Sequence, residues 1–267
     1  MKFSIITVCL NSAKTIKRTF DSLLEQQYTD YEYIVIDGLS QDGTVEIIKE
    51  YEPKFQGRMH WISEKDNGLY DAMNKGIALA KGDYINIMNS DDWFEKDALA
   101  SIAKISGKPD VIYGCVFLVD PIWNTKDLER TDHHRLFQKM IAHQGCFIAK
   151  TVHKTYGGYN NHYRVSGDYD FFLKIYLAGV KIQETETIVA NFQRGGASSN
   201  IWVSSKENFL AQYKNGIISR TAMWRGIFSS RILFLIEKMF IKMGKIFFSL
   251  RKKTKNKNFE TPLFYPK

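Results

Sequence analysis

Four times within the first hundred residues, a short β-branched or aromatic run ends in a loop of Asn, Asp, Ser and Gly and then gives way to a helical pattern. The runs are 3–10 (FSIITVCL), 31–36 (YEYIVI), 59–62 (MHWI) and 83–88 (DYINIM), and the helical stretches are 16–24, 44–51, 69–80 and 96–105. Parallel neighbours need a crossover, and a helix is the usual one, so this alternation predicts an α/β chain with a doubly wound, mainly parallel sheet. Ligands of such sheets bind at the carboxyl ends of the strands. The loops at Asn11, Asp37–Asp42, Asp66–Gly68 and Asn89–Asp92 are therefore expected to converge on one edge. A hydrophobic share of 44% over 267 residues suffices for one large domain with a small appendage.

The second half is less regular. Strands are expected over 111–119, 145–149 and 180–192, a helix over 169–177, and helix or loop over 133–140. Two or three helices are expected over 205–250, then a tail. The three cysteines (Cys9, Cys115, Cys146) lack metal-ligand spacing and read as buried apolar residues of a reducing compartment. No signal peptide and no apolar run long enough to span a membrane is found.

Asn89-Ser90-Asp91-Asp92 carries the most chemistry. Two adjacent carboxylates at a strand end repel one another, and Mg²⁺ or Mn²⁺ would relieve that repulsion while sharing its oxygen ligands with phosphates. The competing reading is a helix N-cap. Asp37 opens a second acidic loop, where a carboxylate can accept an N–H from a pyrimidine base; a turn plus a cap explains it too. Asn11-Ser12 can cap the first helix, and Lys75 with the helix start near Asp66-Asn67-Gly68 can face an anion. His133-His134 lacks HxH or HExxH spacing and is set aside as a metal site.

The order SIITVCLN, IVIDGLSQDGT, DNGLYDAMNKG and KGDYINIMNSDDW closely resembles glycosyltransferase family 2, over about residues 1–200. The resemblance implies a GT-A fold with a nucleotide-binding first half (1–110), an acceptor half (111–200) and a C-terminal helical extension (201–267). It implies that Asp37 contacts the base, that Asp91 contacts the ribose and diphosphate, and that Asp92, together with Asp91, holds a divalent metal. Thr7, Asn11 and Asp66 match positions lining the nucleotide pocket. Asn89 stands where the family's acidic signature often begins with Asp. Gly167-Asp168 resembles the family's Glu-Asp pair, which makes Asp168 the base that deprotonates the acceptor. Asp170 and the pair His143-Gln144 fall on the acceptor side, and Arg194, in the loop 194–199, would meet phosphate charge. For Asp168 and Asp170 the competing reading is a helix cap, for His143 a structural histidine, and for the loop at Arg194 a plain surface loop.

Residues 206–257 hold thirteen Lys/Arg against Glu207 and Glu237, so the net +8 of the chain resides there and the remainder is slightly acidic. Lys238, Lys242 and Lys245 recur at helical spacing among apolar residues, which suits a helix over 227–257 lying on an anionic membrane surface. A packed helix with a solvated basic side competes; nucleic acid is not expected, because no nucleic-acid signature accompanies the charge. The implied enzyme is an inverting transferase working from a nucleotide-sugar donor, with a UDP-sugar favoured. Its acceptor would be a glycan or a lipid-linked molecule in bacterial surface-polysaccharide assembly, and its place the cytoplasmic side, peripheral on the inner face of the cell membrane. A non-catalytic nucleotide-sugar-binding or scaffold protein is the alternative, and a sugar nucleotidyltransferase would want a Gly-rich loop that Val8-Cys9-Leu10-Asn11 does not provide.

Overall fold

The computed structural model describes residues 2–105, 107–196 and 200–257, with side chains in the last helix described through Ile236 and at Lys238 and Met239. Ala197-Ser198-Ser199 and the tail beyond 257 lie outside the described residues. Strands β1 (Phe3–Cys9), β2 (Tyr31–Asp37), β3 (Met59–Ser63) and β4 (Tyr84–Ile87) pair in parallel in the order β3-β2-β1-β4. Strand order reverses at β1, between β2 and β4, so a crevice opens beyond the carboxyl ends of β1 and β4.

The fully buried β1 and β2 alternate between two apolar layers. Phe3, Ile5, Tyr33 and Val35 pack with Phe20 and Leu23 of α1 (Ile16–Leu24), Ile48 of α2 (Thr44–Tyr51) and Leu99 of α4 (Ala98–Ala103). Ile6, Val8, Ile34 and Ile36 pack with Met73 of α3 (Leu69–Leu79) and Phe172 of α6 (Gly167–Leu177). Each such side chain contributes roughly 1.5–3 kcal/mol on leaving water. At Gly76 of α3 a Cβ would stand 2.5 Å from Ile6, so only glycine lets this helix lie so close to β1.

Beyond β4 the sheet becomes mixed. The strand β8 (Cys146–Ala149) is antiparallel to both β4 and β6 (Val111–Asp120), and β6 runs parallel to β9 (Ile182–Gln193). Two short strands were not expected from the sequence. The first, β5 (Trp93–Phe94), joins β9; the second, β7 (Thr125–Glu129), forms a hairpin with β6. The helix α5 (Lys150–Tyr156) was likewise unannounced, and 133–140 contains only a short 3₁₀ turn at His133–Arg135. Asn11 and Ser12 do not cap α1 with their side chains. Asn11 is left-handed (φ 52°), and its Oδ1 accepts from Gln41 N, so the chain turns once more before the helix starts at Ile16.

The extension supplies α7 (Ile201–Lys214) and α8 (Arg220–Lys257). Buried Glu207 of α7 accepts hydrogen bonds from the backbone N–H groups of Arg164, Val165 and Ser166, which lead directly into α6. One carboxylate thus satisfies three backbone donors and fixes where α6, with Asp168 in its first turn, begins. Glu207→Ala leaves these donors without a partner and is expected to cost about 2–4 kcal/mol in urea unfolding. Glu207→Gln, which keeps an acceptor oxygen, should recover part of that loss.

Candidate active site

The acidic turn follows β4 and is held from three directions. The Asp92 carboxylate, 1% exposed, accepts from Gln193 N at the end of β9 (2.8 Å), from Gln144 Nε2 (2.7 Å) and from Asn89 Nδ2 (3.3 Å). Thr19 Oγ1 of α1 donates to Asp92 O, and Arg18 donates to Asp91 O and Gln193 Oε1 while lying 3.5 Å over the Trp93 ring. Asp91, by contrast, faces an open cavity of about 1230 Å³. That volume exceeds the roughly 300–1,000 Å³ of ordinary small-molecule sites and leaves room for two substrates.

Burial, and then the charge of Asp91, push Asp92 up to about 7, and burial also raises Asp91. The turn is therefore short of positive charge. Hard carboxylate oxygens, one pair facing the cavity and the other with three of its roughly four acceptor positions filled, fit a divalent cation shared with a ligand. Separately, Asp132, His133 and His134 bring ligand atoms within 4.8 Å of one another, the one cluster of three or more such groups among the described residues. This corrects the dismissal of His133-His134: the tight turn gathers adjacent side chains that spacing rules do not recognise. His133 Nδ1 is engaged there with Tyr113 Oη (3.0 Å).

At the other side of the cavity stands Asp168. Its Oδ2 meets His143 Nδ1 (2.9 Å), and its Oδ1 accepts from Tyr70 Oη (2.8 Å) and from Tyr169 N. Burial alone would raise its pKa, but the His143 contact, aided by Tyr70, holds it below the usual carboxylate range. For His143 burial opposes charge, yet Asp168 and then Asp92 and Asp91 hold it above the ordinary imidazole value. A Cβ at Gly167 would meet the Tyr70 ring at 2.8 Å, so glycine at this position makes room for the tyrosine that bonds Asp168.

The remaining expected residues divide. Asn11, Asp66, His143, Gln144 and Arg194 line the cavity with Asp91 and Asp168. Thr7 does not: it is fully buried, and its hydroxyl accepts from Tyr33 Oη behind the crevice. Asp37 is also fully buried, its Oδ2 accepting from Ser40 N and Ser63 Oγ, so its carboxylate is turned into the loop and away from the cavity. Asp170 leaves the acceptor side altogether, because α6 points it toward Tyr163 Oη and Asn215 Nδ2 at the foot of α7. Lys75 is engaged by Glu64, Asp66 and Asp71 and is not a free anion contact. Gln144 was expected on the acceptor side but bonds the donor-side turn through Asp92. Arg18, Tyr70, Gln193 and Glu207 escaped the sequence reading, since their partners lie 41 to 175 positions away and no local spacing announces them.

A carboxyl raised in the folded state stabilises fully below its unfolded value, and that contribution is lost as pH climbs through the folded value. For Asp92 the window runs from the ordinary aspartate value of about 3.9 to about 7, worth on the order of 4 kcal/mol at most. Metal-free protein should therefore melt at a lower temperature at about pH 8 than at about pH 5, and Asp92→Asn should flatten that slope. Mn²⁺ should raise the midpoint more at the higher pH. Differential scanning fluorimetry with EDTA or Mn²⁺ checks all three.

Residues 4–164 match the family model described as glycosyl transferase family 2. A PGL/p-HBAD biosynthesis glycosyltransferase of Mycobacterium bovis is 32% identical over 212 residues, covering 76% of this chain and 81% of the relative. Chondroitin synthase of Pasteurella multocida is 30% identical over 224 residues, covering 80% of this chain but 22% of that protein. Among solved structures, S. aureus TarS 1-349 in complex with UDP-GlcNAc superposes with a TM-score of 0.70 at 18% identity, covering 85% of this chain and 70% of that one. Mannosyltransferase PcManGT from Pyrobaculum calidifontis, in complex with GDP-Man and Mn²⁺, gives 0.64 at 19% identity, covering 86% and 68%. At these identities the two structures share the fold.

Proposed function

The chain belongs to glycosyl transferase family 2 and has its GT-A fold, and from that premise we propose an inverting transfer of one sugar from a nucleotide-diphosphate donor to a glycan or lipid-linked acceptor. The observation that carries this reading is one cavity with Asp91 on one wall and Asp168 on another. The donor diphosphate lies against the acidic turn, with Arg194 beside it; the acceptor hydroxyl lies against Asp168. Asp91 and Asp92 would hold the divalent metal, which supplies positive charge to the leaving diphosphate. Asp168, kept ionised by His143 and Tyr70, takes the acceptor proton as the acceptor oxygen bonds the anomeric carbon and the bond to the diphosphate breaks. Attack from the face opposite the leaving group inverts the anomeric centre. A uridine donor is favoured by the family resemblance at Asp37 alone, since its carboxylate is turned into the loop.

An amphipathic acceptor is supported by the cavity mouth. The tip of the β6–β7 hairpin presents Ile122 (84% exposed) and Trp123 (77%), and Ile122 with Pro121 borders the cavity. On α8, Trp224, Phe228, Ile232, Leu235 and Met239 are exposed on one side at helical spacing, flanked by Arg231 and Lys238. No helix among the described residues is long and apolar enough to cross a membrane. This pattern supports a surface-lying helix and surface-polysaccharide or glycolipid assembly at the inner face of a bacterial membrane. The part of that segment beyond Met239 has no described side chains.

Incubation with UDP- and GDP-sugars, Mn²⁺ and lipid-linked acceptors should give a product of inverted anomeric configuration by NMR. Asp168→Asn should cut the rate by about 10²–10⁴ while donor still raises the melting point. Asp92→Asn, which keeps an acceptor oxygen for its buried donors, should abolish transfer with the fold intact, and undiminished transfer in excess EDTA would rule out the metal. Donor binding with no turnover on any acceptor would instead favour a non-catalytic binding protein. In a separate measurement, Trp224→Asp with Phe228→Asp should reduce cosedimentation with anionic vesicles, and unchanged cosedimentation would refute the membrane role of α8.

A further inference from the structure

Asn89 opens the acidic turn yet faces the base. Its Nδ2 carries two hydrogens. One points to Asp92 Oδ2 (3.3 Å) and the other to His143 Nε2 (3.2 Å), whose Nδ1 in turn meets Asp168 Oδ2 (2.9 Å). In this orientation the Asn89 Oδ1 is buried and meets no partner among the described residues, and the second hydrogen has Nε2 of a neutral His143 as its acceptor. With Asn89 donating to Nε2, the neutral ring carries its proton on Nδ1 and must donate to Asp168. Tyr70 and Tyr169 N close the other side of that carboxylate.

We propose that Asn89 and His143 are positioning residues for the transfer: Asn89 selects the Nδ1–H tautomer of His143, and His143 orients Asp168 for the acceptor hydroxyl. The inference rests on the transferase reading above. It gives Asn89 a role that a carboxylate could not fill. Aspartate at this place has no hydrogen to give, would face Nε2 with an acceptor, and would add a third negative charge beside Asp91 and Asp92. The same chain, Asp92 to Asn89 to His143 to Asp168, links the donor-holding turn to the acceptor-activating carboxylate through the side chains of two loops.

The test compares steady-state transfer by wild type, Asn89→Ala, Asn89→Asp, His143→Ala, His143→Asn and the double variant Asn89→Ala/His143→Asn. An asparagine at 143 keeps an amide donor near the Nδ1 position but has no tautomer to select. Asn89→Ala and Asn89→Asp should each lower kcat about tenfold or more, with the KM for donor changed less than about threefold. His143→Asn should retain more activity than His143→Ala, and adding Asn89→Ala to it should cost nothing further in kcat, as expected if Asn89 acts through the His143 ring. If Asn89→Asp keeps wild-type kcat, or if Asn89→Ala raises the donor KM and spares kcat, the inference is overturned. If the two substitutions in the double variant add, the coupling is refuted even where one single variant folds poorly, since His143→Asn and its double are read against each other. Absence of transfer by wild type on every donor and acceptor would instead sink the transferase reading itself.

Discussion

One buried carboxylate organises this molecule. Asp92 sits where β4 ends, yet its three hydrogen-bond donors come from its own turn, from the turn before β8 and from the last residue of β9. Those elements are 52 and 101 positions away along the chain. A carboxylate this deep is tolerated only because its oxygens are satisfied, so these donors are obliged to meet there. The parallel first half and the mixed second half are thereby registered to each other at the crevice, where both are needed.

The arrangement stores a charge imbalance. Asp91 and Asp92 sit together with no cation bonded to their carboxylates among the described residues, and both are pushed toward their neutral forms. Arg18 approaches but spends its guanidinium on backbone oxygen, the Gln193 amide and the Trp93 ring. Across the cavity the balance runs the other way, because Asp168 has a histidine and two further donors and is held ionised. Two carboxyl groups of similar intrinsic acidity are thus driven apart by surroundings, one toward its neutral form and the other toward its ionised form.

Much of this was legible in the sequence because it rests on local patterns. The β-branched runs of β1 and β2, the turn residues after them and the helical spacing of Phe20 and Leu23 specify strand, loop and helix within windows of a dozen residues. The acidic turn and Asp168 stood out because unpaired carboxylates beside apolar runs are chemically conspicuous. What the sequence hid was orientation. Thr7 and Asp37 occupy the expected strand ends but face inward, since alternation along β1 and hydrogen bonds within the loop after β2 turn them from the cavity. Asp170 lies two residues from Asp168, and a helix turns about 200° over that interval, which carries it to the opposite face.

By itself, then, the sequence determined the alternation of the first four strand–helix units and hence a mainly parallel sheet, the loops that gather at their carboxyl ends, and the presence of an acidic turn and a distant second carboxylate. Periodicity and turn chemistry act over short distances and survive in a string of letters. Only the tertiary structure decided which carboxylates face the cavity, that Gln144 and Gln193 converge on Asp92, and that Asn89 and His143 join the two ends of the site. Those outcomes depend on β8 inserting antiparallel beside β4 and on Glu207 fixing the start of α6. Contacts of that range are set by the packing of whole layers, which no local spacing encodes.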